Sequence, residues 1–135
     1  MTQRNGASRT ELVDKDPGIP NGWYAVAWSK ELDPGEVKRV HCFGHELVLF
    51  RSRSGGAKVL SAYCPHLGIH MGEGGRVMGE TVRCPQHGWQ FNGDSGECTD
   101  IPYCDEIPKR ACVRSWDVVE RNLMIFVWHH AEENP

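Results

Sequence analysis

Cys64-Pro65-His66-Leu67-Gly68 and Cys84-Pro85-Gln86-His87-Gly88-Trp89 are the two stretches on which the reading of this chain turns. Each carries one cysteine and one histidine, and residues 67–83 separate the first pair from the second. A thiolate is a soft ligand and an imidazole a borderline one, so each stretch offers a metal two kinds of donor. Pro65 and Pro85 directly follow the cysteines and stiffen a turn there. Gly68 and Gly88 follow the histidines, where the missing Cβ lets backbone N–H groups come close to a neighbour. Gly72, Gly74 and Gly75 let the first stretch fold back over a metal.

Two cysteines with two histidines suit two chemistries. One is a tetrahedral zinc ion. Zinc fingers usually place both cysteines at one end and both histidines at the other, whereas each stretch here is mixed. The other is a two-iron, two-sulfide unit with cysteines on one iron and histidines on the other, which requires mixed stretches. On that reading Cys64, His66, Cys84 and His87 hold one [2Fe-2S] cluster per chain, and Leu67, Gly68, Gln86, Gly88 and Trp89 surround it. Leu67 and Trp89 are expected to shield it from water. Two ferric irons, two sulfides and two thiolates sum to roughly zero charge, so an added electron meets less repulsion than in a four-thiolate cluster. The reduction potential is correspondingly higher, about −150 to +300 mV. Backbone N–H groups directed at the sulfurs raise it further. The chemistry is transfer of single electrons.

Composition narrows the partners. The 135 residues fit one domain, and 15 basic against 18 acidic residues leave a formal charge of −3. That balance gives no reason to expect nucleic acid or an anionic membrane as partner. The longest apolar stretch, Leu123–Trp128, is far shorter than a bilayer span, and residues 1–20 hold no apolar run of signal-peptide length. The expectation is a cytoplasmic protein whose cysteines stay reduced. Cys42, Cys98, Cys104 and Cys112 then read as small apolar packing residues.

Along the chain, residues 1–20 read as a flexible arm ending at Pro17-Gly18-Ile19-Pro20, and residues 131–135 as a tail. Between them lie short β-like runs: 23–28, 37–43, 46–51 across a turn at Gly44, 58–63, 80–83 and 89–92. Residues 111–120 and 123–129 read as a hairpin across Arg121-Asn122, the first strand alternating in facing as a half-buried strand would. Helical periodicity is lacking, so the expectation is an all-β fold, a small sandwich or barrel with glycine turns.

The two stretches, extended to Gln90-Phe91, resemble the Rieske loops of ring-hydroxylating and related non-haem iron oxygenases. Gly22-Trp23-Tyr24, Ile101-Pro102-Tyr103 and Ile125-Phe126-Val127-Trp128-His129 are similar to the 3-ketosteroid 9α-hydroxylase oxygenase and cholesterol 7-desaturase group. The resemblance covers about residues 20–130. It implies a Rieske-type fold of three antiparallel sheets over 21–130, with a cluster-binding subdomain inserted at about 62–104. It also implies a low potential. High-potential members of the class brace their loops with a disulfide, and the matching places here hold Ile69 and Gln86. A hydroxyl donor to a cluster sulfur is likewise replaced by Trp89.

Oxygenases of this family carry a second domain with a mononuclear iron held by two histidines and a carboxylate. The residues after His87 are too few for it. His129, His130 and Glu132 or Glu133 do not substitute, because neighbouring strand residues point to opposite faces. His41 and His45 read as surface residues, and His70 either as a neighbour of the cluster or as a plain loop residue. The expected function is a ferredoxin-like carrier between a reductase as donor and a terminal oxygenase as acceptor. The alternative is the N-terminal Rieske domain of a steroid-type oxygenase that feeds a mononuclear iron on a separate part. A redox-sensing or zinc-binding module is the lesser alternative.

Overall fold

Leu47, Val48, Leu49 and Phe50 form an unbroken apolar run, and all four are fully buried. Successive side chains of a strand point to opposite faces, so such a run needs cover on both sides. The computed structural model, which describes residues 20–130, provides that cover with three antiparallel sheets. Strands are β1 (Gly22–Trp28), β2 (Val37–Cys42), β3 (His45–Arg51), β4 (Ala57–Ser61), β5 (Arg76–Met78), β6 (Thr81–Arg83), β7 (Gln90–Asn92), β8 (Cys98–Asp100), β9 (Ser115–Trp116), β10 (Val118–Arg121) and β11 (Met124–His129). A single 3-10 turn, Ser29–Glu31, is the helical content of the described residues. No helix among them is long and apolar enough to cross a membrane. The arm expected at 1–20 lies, apart from Pro20, outside the described residues, as does the tail expected at 131–135.

The central sheet runs β2-β3-β4-β9. Leu47, Leu49 and Val59 on one of its faces pack with Ile125, Val127 and Trp116 beneath the sheet β1-β11-β10. Val48, Phe50 and Leu60 on the other face pack with Val77, Val82 and Phe91 of the sheet β5-β6-β7-β8. The third sheet is thus inserted between β4 and β9, and the sulfur atoms of Cys64 and Cys84 belong to its core.

Hairpin turns follow local backbone chemistry. Phe43-Gly44 joins β2 to β3 with both residues left-handed, φ 56° and 76°, as a two-residue turn between twisted strands requires. The last hairpin turns at Asn122-Leu123, φ 54° and 67°, one residue later than the sequence reading placed it. Asn tolerates that conformation because its short polar side chain bonds locally.

The strand expected over 111–120 is not continuous. Its first part meets the third sheet, where the Cys98 N–H donates to the Ala111 carbonyl and the Val113 N–H to the Gly96 carbonyl, at 2.9 and 2.8 Å. Ser115–Trp116 then pairs with β4, and Val118–Arg121 pairs with β11. Trp116 must fill the space between two sheets while Val118 joins another ladder, so the chain changes sheets at Asp117. Two strands, β5 and β8, escaped the sequence reading because three residues are too few to show a period.

The return of the first loop onto β5 depends on Gly75. A Cβ there would stand 2.1 Å from the Met71 carbonyl oxygen and 3.2 Å from that of Arg83. Both obstacles are backbone and cannot swing aside. Gly75→Ala should therefore lower unfolding stability by about 1–3 kcal/mol. A urea midpoint equal to that of the unsubstituted protein would contradict the packing described.

Candidate metal centre

The two cysteine–histidine loops close in the same way. The Cys64 N–H donates to the Ile69 carbonyl at 2.9 Å, and the Gly68 N–H returns to the Cys64 carbonyl at 2.7 Å. In the second loop the Cys84 N–H donates to the Trp89 carbonyl at 2.8 Å and the Gly88 N–H to the Cys84 carbonyl at 3.1 Å. Gly68 and Gly88 take left-handed φ of 77° and 79°, open to glycine without steric cost. On this common backbone the imidazoles differ by one place. His66 stands two residues beyond its cysteine and His87 three.

The glycine N–H groups are therefore occupied in closing the loops. Backbone N–H groups do face the Cys64 sulfur, but they come from His66 and Leu67. Leu67 contributes one of these N–H groups, and the residue is 58% exposed. Gln86 is exposed and Ile69 packs against the core.

The stem of the first loop is tied to the central sheet. The Ala62 N–H donates to the Glu46 carbonyl and the Met71 N–H to the Ala62 carbonyl, at 3.0 and 2.8 Å. His70, left open by the sequence reading, is a buried strut. Its Nδ1 accepts the Gly72 N–H at 2.9 Å, so Nε2 carries the proton and meets the Glu46 carboxylate at 3.1 Å. Glu46 also meets His41 at 2.7 Å and Arg39 at 3.4 Å. These partners, His41 foremost, hold its carboxyl below the usual carboxylate range.

The donors sort by element. Cys64 and Cys84 are 1% and 3% exposed and lie side by side at the inner end. Burial pushes the Cys64 thiol up to about 11; the His66 N–H opposes this and the neighbouring Cys84 adds to it. A metal cation offsets the cost of such a buried thiolate. His66 and His87 sit at the outer end with ring centroids 4.8 Å apart. His66 is half-buried and His87 exposed. Among the described residues no three His, Cys, Asp or Glu side chains gather around one point. Instead each loop gives one atom to a sulfur pair and one to a nitrogen pair. This donor set fits two metal atoms better than one tetrahedral ion.

Aromatic rings flank the outer pair. The Trp89 indole stacks on the His66 imidazole, centroids 4.6 Å apart and planes within 8°. Its N–H donates to the Tyr103 hydroxyl oxygen at 2.7 Å. Trp89 is half-buried and covers one face of the His66 ring. Tyr103 was not singled out as a site residue, since a lone tyrosine after Pro102 gives no chemical signal in sequence.

Other cysteine and histidine readings divide. Cys98 is buried, whereas Cys104 and Cys112 are exposed and do not pack as small apolar residues. His45 is half-buried with its ring edge against Trp116, so it is not a surface residue. His129 stacks on Phe43 at 4.5 Å, far from any metal role.

A three-sheet β-domain that presents a sulfur pair and a nitrogen pair on two loops is the framework of an iron–sulfur domain. The chain belongs to the Rieske [2Fe-2S] domain family, whose pattern matches residues 22–126, and membership implies one [2Fe-2S] cluster. Cholesterol 7-desaturase nvd 1 of Ciona intestinalis is 46% identical over 119 residues, covering 88% of this chain and 25% of that protein. The oxygenase component of 3-ketosteroid-9-alpha-monooxygenase of Rhodococcus rhodochrous is 36% identical over 126 residues, 90% of this chain and 33% of that protein. Among solved structures, the terminal oxygenase of carbazole 1,9a-dioxygenase from Nocardioides aromaticivorans IC177 superposes with a TM-score of 0.77 at 25% identity, covering 86% of this chain and 32% of that one. The chain spans about a quarter to a third of the length of these relatives.

Proposed function

We propose that Cys64 and Cys84 hold one iron and His66 and His87 the other, and that the domain relays single electrons at low potential toward an oxygenase iron. The observation that carries this reading is the sorting of donors, with the sulfur pair buried and the nitrogen pair at the surface. When bound, the cluster supplies one reversible electron. The protein's part is to hold the sulfurs away from water and to leave the His87 ring edge at the surface for a partner. A reductase is the donor on this reading.

The mode of delivery has two forms. In the first, the domain is the electron-entry part of a sterol- or steroid-type oxygenase; the identity to cholesterol 7-desaturases supports this form. In the second, it is a ferredoxin-like carrier acting on a separate terminal oxygenase. Reduced protein added to an oxygenase deprived of its own electron source distinguishes them: sustained turnover in trans supports the carrier, and none supports the domain.

Low potential has local causes. Ile69 and Gln86 cannot cross-link the loops, and the single N–H donor of the Trp89 side chain is engaged by Tyr103 rather than a sulfur. A potentiometric titration should give a midpoint at the low end of the range of about −150 to +300 mV for such clusters. A midpoint well above zero would refute this assignment. Low-temperature EPR of the reduced protein gives an independent check, because mixed nitrogen and sulfur ligation lowers the average g relative to four thiolates.

A further inference from the structure

Tyr103 stands outside the two loops, yet its phenol meets the indole that stacks on His66. It sits in the turn Ile101-Pro102-Tyr103-Cys104, closed by the Cys104 N–H donating to the Ile101 carbonyl at 3.1 Å. Pro102 presets the backbone of that turn, and Ile101, 4% exposed, anchors it in the core. Pro102 also lies against the second loop, where its Cγ is 3.0 Å from the position a Cβ on Gly88 would take. The turn therefore holds the Tyr103 backbone at a fixed place beside the loop, although the phenol is 61% exposed.

The phenol oxygen receives the Trp89 N–H at 2.7 Å. An indole nitrogen only donates, so the tyrosine is the acceptor and its own proton is left for solvent or a partner. The tyrosine ring centroid lies 6.4 Å from both His66 and His87. Packing does not confine the indole by itself. A cavity of about 190 Å3, bordered by Pro65, Pro108 and Arg110, opens beside His66 and Trp89. An indole free of its hydrogen bond has room to tilt away from the imidazole.

We propose that Tyr103 is a positioning residue for the His66 ligand: by accepting the Trp89 N–H it holds the indole flat on the imidazole and so fixes the plane in which His66 meets the iron. The proposal rests on the assignment of His66 as a ligand. Tyr103 acts through Trp89 and touches no metal itself.

A double-substitution cycle tests this. Tyr103→Phe keeps the ring and removes the acceptor oxygen; Trp89→Phe keeps a flat ring and removes the donor. The protein is purified with its cluster. The rate at which a chelator bleaches its visible absorption is measured alongside the EPR spectrum after dithionite reduction. Tyr103→Phe is expected to speed bleaching about fivefold, the factor one net hydrogen bond represents, and to shift the g values with unchanged thermal unfolding. In the Trp89→Phe background, Tyr103→Phe should add nothing, because its effect runs through the indole. If Trp89→Phe does not accumulate, Trp89→Leu takes its place in the cycle. Equal effects of Tyr103→Phe in both backgrounds, or spectra and bleaching identical to the unsubstituted protein, would overturn the proposal. A colourless unsubstituted protein would overturn the ligand assignment, and this proposal with it.

Discussion

His66→Ala and His87→Ala should each give a protein that folds but lacks visible colour. Each iron takes only two protein donors in the assigned arrangement, so deleting one imidazole removes half of that iron's protein ligands. The fold does not depend on either ring. Both loops are closed by backbone hydrogen bonds from the cysteine and glycine N–H groups, and neither histidine belongs to the apolar core. The expected outcome is nearly complete loss of iron and of visible absorption, with an unchanged far-ultraviolet circular dichroism spectrum. Retention of the pigment by either variant would show that the ligand assignment is wrong. His70→Ala provides the contrast: its ring braces Glu46 and Gly72, so that variant should keep its colour and lose stability.

The largest effect on stability is expected at Arg51. This residue is 8% exposed, and all five of its guanidinium N–H donors are accounted for. Nε donates to the Leu32 carbonyl at 2.5 Å; one terminal nitrogen donates to the Gly55 carbonyl and the Glu120 carboxylate at 2.8 and 2.9 Å; the other donates to the Ser29 carbonyl and the second Glu120 oxygen at 3.2 and 2.8 Å. One side chain thus links the central sheet, the 3-10 turn, the β3–β4 turn and β10. Arg51→Met leaves several acceptors and a carboxylate unpaired. The expected cost is about 3 kcal/mol, the lower end for a broken buried pair because Glu120 keeps some contact with water.

Glu120 supplies the pH dependence. Its hydrogen bonds with Arg51 bring its carboxyl down to about 2 from the ordinary value of 4.5, against the opposing effect of burial. A folded value below the unfolded one means that the native state binds fewer protons in that window. The stabilisation is complete above about pH 4.5 and is lost as the pH falls toward 2. Glu120→Gln should flatten the acid limb of the stability curve in that window. An acid limb equal to that of the unsubstituted protein would show that the pair does not carry it.

The all-β class, and the two loops that carry the proposed donors, were readable because both depend on local features. Cysteine, histidine, proline and glycine at short fixed intervals specify a loop and its chemistry, and alternating or unbroken apolar runs mark β2, β3 and β11. The sheets were less accessible. Residues 111–120 look like one strand because each short piece is extended, and only the positions of three separate partners divide them. The role of His70 was hidden for a similar reason: its acceptor, Glu46, lies on another strand. The stretch 101–104 shows the limit most clearly. Pro102 announces a turn, but what Tyr103 meets there is decided by the placement of Trp89 across the fold.

The pairing of β1 with β11, with Gly22 opposite His129, has a consequence for biosynthesis. A ribosome makes the chain from its amino end, so β1 emerges early and must wait for a ladder partner from the far end of the domain. The hairpins of the third sheet join neighbours close in sequence and can form sooner. While β1 waits, its aromatic residues have no mate, and nascent chains are most exposed to faulty association during that interval. Slowed translation between residues 100 and 124 would lengthen the exposure, and chaperone demand should rise with it.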